Sequence, residues 1–268
     1  MLLDIYIIYF VALLPVVLLI SYVYKKDLYP EDKREVFITF LLGASIILFL
    51  DILIPAVEIF NNTFFKGISN KAFMSFFRAA TLEETFKLLV LYYYASKLDN
   101  FNEPMDAIVF ATAASLGFAA IENVNYVFHS TETQSQAFSL ALGRAFSAIP
   151  LHGLNGVIMG LFFGLALFGD KDNKKYLFLA LAVPIFIHGI YNFFLLINAG
   201  ILIYIILFIL FSRSSKIFNR IRTGQQLKGH EYWERTYTIN PSEIYMNVLK
   251  ISGIIMAGVI TLELIFNA

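Results

Sequence analysis

Long apolar runs separated by short polar connections dominate the chain. Runs near the ~20 residues needed to cross a hydrocarbon core cover residues 3–24, 36–60, 72–94, 106–128, 151–168, 176–197, 201–211 and 248–266. This pattern predicts an all-α polytopic transmembrane bundle of about eight spans. The seventh run is short, and its helix is expected to extend past Gly200 on one side and Ser215 on the other. Residues 136–149 form a semi-apolar stretch that carries Arg144 and ends at Pro150. Joined to the span that follows, it is too long for one crossing, so a broken, kinked or partly interfacial helix is expected there. The first run has no basic segment before it and no small-residue cleavage pattern after it, and so reads as a retained helix rather than a signal peptide.

The connections are charged unevenly. Lys25, Lys26, Lys33 and Arg34 lie in the first, Lys97 in the third, Lys171, Lys174 and Lys175 in the fifth, and Arg213, Lys216, Arg220, Arg222, Lys228 and Arg235 in the seventh. The even connections hold only Lys66 and Lys71. By the positive-inside rule the odd connections face the cytoplasm and both termini are extracytoplasmic. The chain reads as one integral membrane domain, 1–268, of the cell membrane, with its polar motifs confined to about 72–197. A cytoplasmic juxtamembrane loop, 213–247, alternates basic and apolar residues over 216–222, as expected of a segment lying on anionic lipid.

Composition narrows the classes. Hydrophobic residues make up 59% and charged residues 15% of the chain, against about 45–50% and about 25% in soluble domains, so lipid is the partner that covers its surface. Zero formal net charge gives no footprint for nucleic acid. With no cysteine, disulfides, thiolate metal sites and a cysteine nucleophile are excluded.

Against this apolar background, ionisable residues at membrane depth are candidates for function, because each costs several kcal/mol unless it faces a cavity or a partner. The third span carries Glu83, Glu84 and Lys87, the fourth Glu122, Asn123 and Asn125, the fifth His152 and Asn155, the sixth His188 and Asn192. At about 1.5 Å rise per residue, Glu83 lies roughly 17 Å, Glu122 about 9 Å and His188 roughly 14 Å from the outer ends of their spans. His152 sits near the outer end of its own span. These depths permit one shared cavity open to external water. Glu83 and Lys87, spaced i, i+4, share a helix face, as do His188 and Asn192, while Glu84 points about 100° away. A histidine, one or two carboxylates and a carboxamide are the parts needed to activate water and hold an oxyanion. Glu122, His152 and His188, with Glu83, also form a donor set for Zn²⁺ with an open position for water.

No His-Glu-x-x-His block is present, and no Gly-x-Ser-x-Gly elbow or Ser–Lys pair suggests a serine mechanism. The same acids and histidines would serve a proton-coupled carrier, although no inverted repeat accompanies them. A non-catalytic scaffold binding a partner helix is a third class. Asp51 and Glu58 fall near the outer end of the second run and are expected to reach interfacial water. Arg78 and Arg144 read as counter-charges to the acids or as interface anchors, and His129 and His230 as solvated loop residues.

The ordered blocks Glu83-Glu84-x-x-Lys87, Phe118-x-x-x-Glu122-Asn123, Pro150-x-His152-Gly153 and His188-Gly189-x-x-Asn192 resemble those of the PrsW-type intramembrane proteases, relatives of the type II CAAX-processing endopeptidases and the bacteriocin-immunity proteins. The resemblance covers about 73–194. It implies site-1-type cleavage of a membrane-anchored protein, such as a single-pass anti-sigma factor, near its extracytoplasmic side. It also implies catalytic roles for Glu83 and Glu84, with His152 and His188 as partners and Asn192 beside His188. The CAAX-processing relatives have a Glu-Glu-x-x-x-Arg block and a histidine four residues after the phenylalanine of the second block. Here Lys87 comes one position early and Glu122 stands in that histidine's place, which argues against prenylated-protein processing.

Overall fold

The computed structural model describes residues 2–228 and 233–266, and all regular structure among them is helical. Ten α-helices follow in order: α1 (Leu2–Tyr24), α2 (Lys33–Phe64), α3 (Gly67–Ala72), α4 (Leu82–Tyr93), α5 (Pro104–His129), α6 (Gln134–Ala145), α7 (Ala148–Phe168), α8 (Asn173–Leu196), α9 (Ile201–Lys228) and α10 (Pro241–Phe266). A π-helical stretch, Phe73–Thr81, joins α3 to α4 without a break. Seven segments among the described residues are long and apolar enough to cross a membrane, with α6 and α7 counted as one. The eighth predicted span, 72–94, is helical too, but its hydrogen-bond register changes partway.

The centre of the bundle is α5. From Pro104 to Ala120 every residue of it is buried, which is why it is apolar on all sides rather than along one stripe. Two neighbours approach it backbone to backbone. A Cβ at Gly160 of α7 would overlap the Ala107 carbonyl and the Ile108 Cα, and one at Gly117 of α5 itself would overlap the Phe40 carbonyl of α2. Small residues at such positions let membrane helices pack closely where apolar burial alone gives no preference over lipid. The start of α5 is fixed by Pro104 at its first position, and by Asp106 Oδ2 accepting from the Asn102 and Glu103 amides at 2.7 and 2.8 Å.

The outer helices present large apolar side chains outward: Phe10, Leu48, Ile52, Phe208 and Ile254 are all exposed. In a helix whose apolar window is only 11% buried, as in α10, that surface is one for lipid.

Several boundaries differ from the sequence pattern. The expected break near Pro150 is present: α6 ends at Ala145, and Pro150 lies in the first turn of α7, where its missing N–H leaves no hydrogen bond unmade. α9 starts at Ile201, not before Gly200, and runs on to Lys228. The first half of the expected loop 213–247 is therefore helical, because Ser214, Phe218 and Gln225 form a buried stripe against the bundle while Lys216, Arg220 and Arg222 face outward. His230 lies outside the described residues.

The odd-numbered connections meet at one end. Gln225 bonds both Asp27 and Glu103, Arg235 donates to the Ser96 and Phe101 carbonyls, and the Thr236 amide bonds Leu167 O. The basic residues of the odd-numbered connections thus lie at one end of the bundle.

Candidate active site

Glu83 and Glu84 open α4 immediately after the π-helical stretch. In that stretch Thr81 Oγ1 donates to Phe76 O, five residues back, at 2.7 Å. A π segment inside a helix resets the faces of whatever follows and is frequent at functional sites. Here it turns both glutamates and Lys87 inward, and all three are buried. The sequence spacing pairs Lys87 with Glu83, but the structure reverses the preference: Lys87 Nζ is 2.8 Å from Glu84 Oε1 and 3.7 Å from Glu83 Oε2.

The histidines arrive from α7 and α8. His188 Nδ1 is 2.9 Å from Glu84 Oε1, and His152 Nε2 is 3.2 Å from Glu122 Oε2 of α5. A carboxylate only accepts, so these ring nitrogens are the protonated ones. Lys87 Nζ, which only donates, lies 3.1 Å from His152 Nδ1, so that nitrogen accepts. The two imidazoles stand edge to face at 5.0 Å between centroids, and Phe118 closes the floor, 5.6 Å from the His152 ring and 4.5 Å beneath the Lys87 ammonium. Glu122 is in turn held by Arg144 Nη2 at 2.6 Å, and Arg144 Nε donates to Asn123 Oδ1 at 2.7 Å.

Two carboxylate oxygens of the cluster, Glu83 Oε2 and Glu84 Oε2, are buried without a hydrogen bond. Glu83 Oε2 lies 3.8 Å from His188 Nε2 and 3.7 Å from Lys87. Those separations are too long for direct bonds and are the spacing that an intervening water or ion closes. Glu83, His152 and His188 each offer one ligand atom, all within 4.8 Å of one another. Two imidazole nitrogens and a carboxylate oxygen are donors of the zinc type, with His188 Nδ1 fixed by Glu84 and His152 Nε2 by Glu122; His152 Nδ1 becomes a ligand only in exchange for its Lys87 contact.

The structure brings together Glu83, Glu84, Glu122, His152 and His188. Asn192 lies one turn beyond His188, half-buried, with no hydrogen bond to the cluster among the described residues. The two arginines divide: Arg144 is the counter-charge of Glu122, whereas Arg78 pairs with Glu58 at 3.0 Å, away from the cluster. Asn123 rather than Asn125 joins the site, through Arg144 on one side and the Ala12 carbonyl on the other. Its signal was the i, i+1 step after Glu122, which helical spacing alone assigns to another face. His129 is exposed, as expected, but it ends α5 rather than lying in a loop.

A lipid-facing helical bundle with a buried centre of paired carboxylates and histidines defines a class: a polytopic membrane protein with the equipment of a hydrolase. The model for "PrsW family intramembrane metalloprotease" matches residues 31–213. The chain is 35% identical over 186 residues to Protease PrsW of Geobacillus kaustophilus (strain HTA426), covering 68% of this chain and 76% of that protein. To Protease PrsW of Bacillus subtilis (strain 168) it is 34% identical over 203 residues, 74% and 86% of the two chains. To that of Clostridioides difficile (strain 630) it is 32% identical over 195 residues, 71% and 79%. No solved structure matches it. The chain belongs to the PrsW family of intramembrane metalloproteases, and it is a multi-pass membrane peptidase that acts on protein within the membrane.

Proposed function

We propose that this peptidase cuts a membrane-anchored protein, of the single-pass anti-sigma-factor kind, on the extracytoplasmic side of the membrane, and that Glu83 takes the proton from the attacking water. The observation that carries this reading is the unpartnered, buried Glu83 Oε2 facing His188 Nε2 across 3.8 Å. Glu84 is the poorer base, because Lys87 and His188 both bond its Oε1 and keep its charge paired, although its Oε2 is also buried without a hydrogen bond. Its role is to hold His188 in one tautomer, as Glu122 holds His152. Asn192, one turn beyond His188 on α8, then donates to the developing oxyanion.

Glu83, His152 and His188 are the residues that would hold a divalent ion. When bound it supplies Lewis acidity toward the water and the scissile carbonyl. Base and ligand make the same demand on Glu83, an ionised carboxylate with a lone pair facing the histidines, so Glu83→Gln abolishes cleavage in either role. The gathering of the basic connections at one end supports a cytoplasmic position for that end, with both termini outside. Glu122, seven residues before the far end of α5, then lies about 10 Å from the outer surface, which is why the outer half of the substrate's span is the part presented.

The test is a panel of co-expressed single-pass proteins with wild type, Glu83→Gln, Glu84→Gln and His188→Ala at matched membrane levels, with metal assayed on the purified proteins. The expected result is a fragment that appears with wild type and disappears in the variants and on chelation, with one bound zinc lost in His188→Ala. Intact substrates throughout, with folded variants, would remove the proposed substrate class.

A further inference from the structure

A second set of buried acids lies at the opposite end of α5. Asp27 and Glu31 come from the α1–α2 connection, Glu103 caps α5, Asp106 sits in its first turn, and Gln225 reaches in from α9. Glu103, Asp106 and Gln225 are at most 1% exposed, and Asp27 and Glu31 are buried as well. Asp27, Glu103 and Asp106 each offer an oxygen within 4.8 Å of the others.

The protein satisfies only part of this group. Gln225 Nε2 donates to Asp27 Oδ1 at 2.7 Å and to Glu103 Oε1 at 2.6 Å, and Asp106 Oδ2 accepts two backbone amides. Glu103 Oε2, Asp106 Oδ1 and Glu31 Oε2 are buried and have no donor. Among the described residues no lysine, arginine or histidine forms an ion pair with Glu31, Glu103 or Asp106. The nearby Arg235 spends its Nη2 on the Ser96 and Phe101 carbonyls. The α5 N-terminus explains why one carboxylate sits here, through its free amides and dipole. It does not explain three or four, nor the donorless oxygens, since buried charge of one sign is stable only when paired, protonated or bound to a metal.

We propose that Asp27, Glu103 and Asp106, closed by Glu31, bind one hard divalent cation on the face carrying the basic connections. All-oxygen carboxylate donors suit Mg²⁺, Ca²⁺ or Mn²⁺, in contrast to the histidine-containing set at the active site. The ion ties the α1–α2 connection to the start of α5, beside the Gln225 amide of α9. Asp106 and Glu122 are sixteen residues apart on one helix, about 24 Å, so the two sites are physically separate and separately testable.

The experiment is a Mn²⁺ titration, followed by electron paramagnetic resonance, of the full chain in nanodiscs of neutral lipid, with thermal unfolding measured in parallel. Wild type and His188→Ala are both expected to bind about one Mn²⁺ at this cluster, displaced by excess Ca²⁺ or Mg²⁺. Glu103→Gln/Asp106→Asn is expected to bind it at least ~100-fold more weakly, because two of the carboxylate ligands lose their charge. Mn²⁺ raises the unfolding temperature of wild type but not of the double variant. That variant, relieved of two buried like charges, unfolds no lower than chelator-treated wild type, which controls for misfolding. The proposal is overturned if wild type binds no Mn²⁺ at millimolar concentration, if the double variant binds it as tightly as wild type, or if unfolding is indifferent to Mn²⁺ and chelator. Those results would mean that the carboxyls share protons among themselves instead.

Discussion

Arg144 and Glu122 offer a quantitative check on the electrostatics of the site. Their side chains are each 13% exposed and meet at 2.6 Å, and at that distance with an effective dielectric of about 20 the direct attraction is about 6 kcal/mol. Desolvation of both groups offsets much of it, so the pair's net value is far smaller, but removing one partner strands the other. Arg144→Met leaves Glu122, among the described residues, with His152 Nε2 as its one hydrogen-bonded side chain, and is expected to cost about 3–5 kcal/mol of stability. Glu122→Gln is milder, about 1–2 kcal/mol, because the carboxamide oxygen still accepts from His152, while Arg144 keeps Asn123 and the Tyr126 ring at 4.1 Å. In the double variant no charge is stranded on the acid, so the two effects should not add. Reversible unfolding of all four proteins in mixed micelles measures this, with an expected coupling of about 2 kcal/mol or more. Peptidase activity should fall at least ~10-fold in Arg144→Met, about 1.4 kcal/mol in the barrier, as His152 loses its fixed orientation. Additivity within about 0.5 kcal/mol would refute the claim that Arg144 acts through Glu122.

Other substitutions separate packing from chemistry. Gly160→Ala forces a Cβ into the α5 backbone and should cost about 1–3 kcal/mol, whereas Gly153→Ala, whose Cβ would meet only Leu116 Cδ2 at 3.4 Å and Leu19 Cδ1 at 3.5 Å, should be close to neutral in the same unfolding assay. Lys87→Met strands the fully buried Glu84 at about 3–5 kcal/mol, and adding Glu84→Gln should restore much of the stability but no cleavage. Thr81→Val removes the hydrogen bond within the π stretch, about 1 kcal/mol, and cleavage should fall more than stability does, because Glu83 and Glu84 follow it directly.

The sequence carries the bundle and most of the centre plainly, since acids and histidines in apolar runs have few reasons to be there. Four separate helices supply Glu83, Glu122, His152 and His188, and depth alone brings them to one level. What stayed hidden depends on facts that helical spacing does not encode. The π register of Phe73–Thr81 has no signature in residue type, so the direction in which Glu83, Glu84 and Lys87 face was hidden; within α4 both acids lie in reach of Lys87, and helical spacing does not rank i, i+3 against i, i+4. Arg144 lies in a separate helix, and only tertiary packing shows that it serves Glu122 while Arg78 serves Glu58. The length of α9 was obscured because its polar half has a buried stripe of just Ser214, Phe218 and Gln225, too sparse to separate from a loop by hydropathy. The acidic cluster at Asp106 was invisible for a similar reason: its members come from separate connections and look solvated until the bundle closes over them.

The most direct test of the central claim uses purified wild type and Glu83→Gln in nanodiscs with one purified single-pass substrate, the products identified by mass spectrometry. The account predicts a single cut in the outer half of the substrate's membrane span by wild type, and none by Glu83→Gln although it remains folded. Cleavage by Glu83→Gln at the wild-type rate, or a cut in the cytoplasmic half, would contradict it.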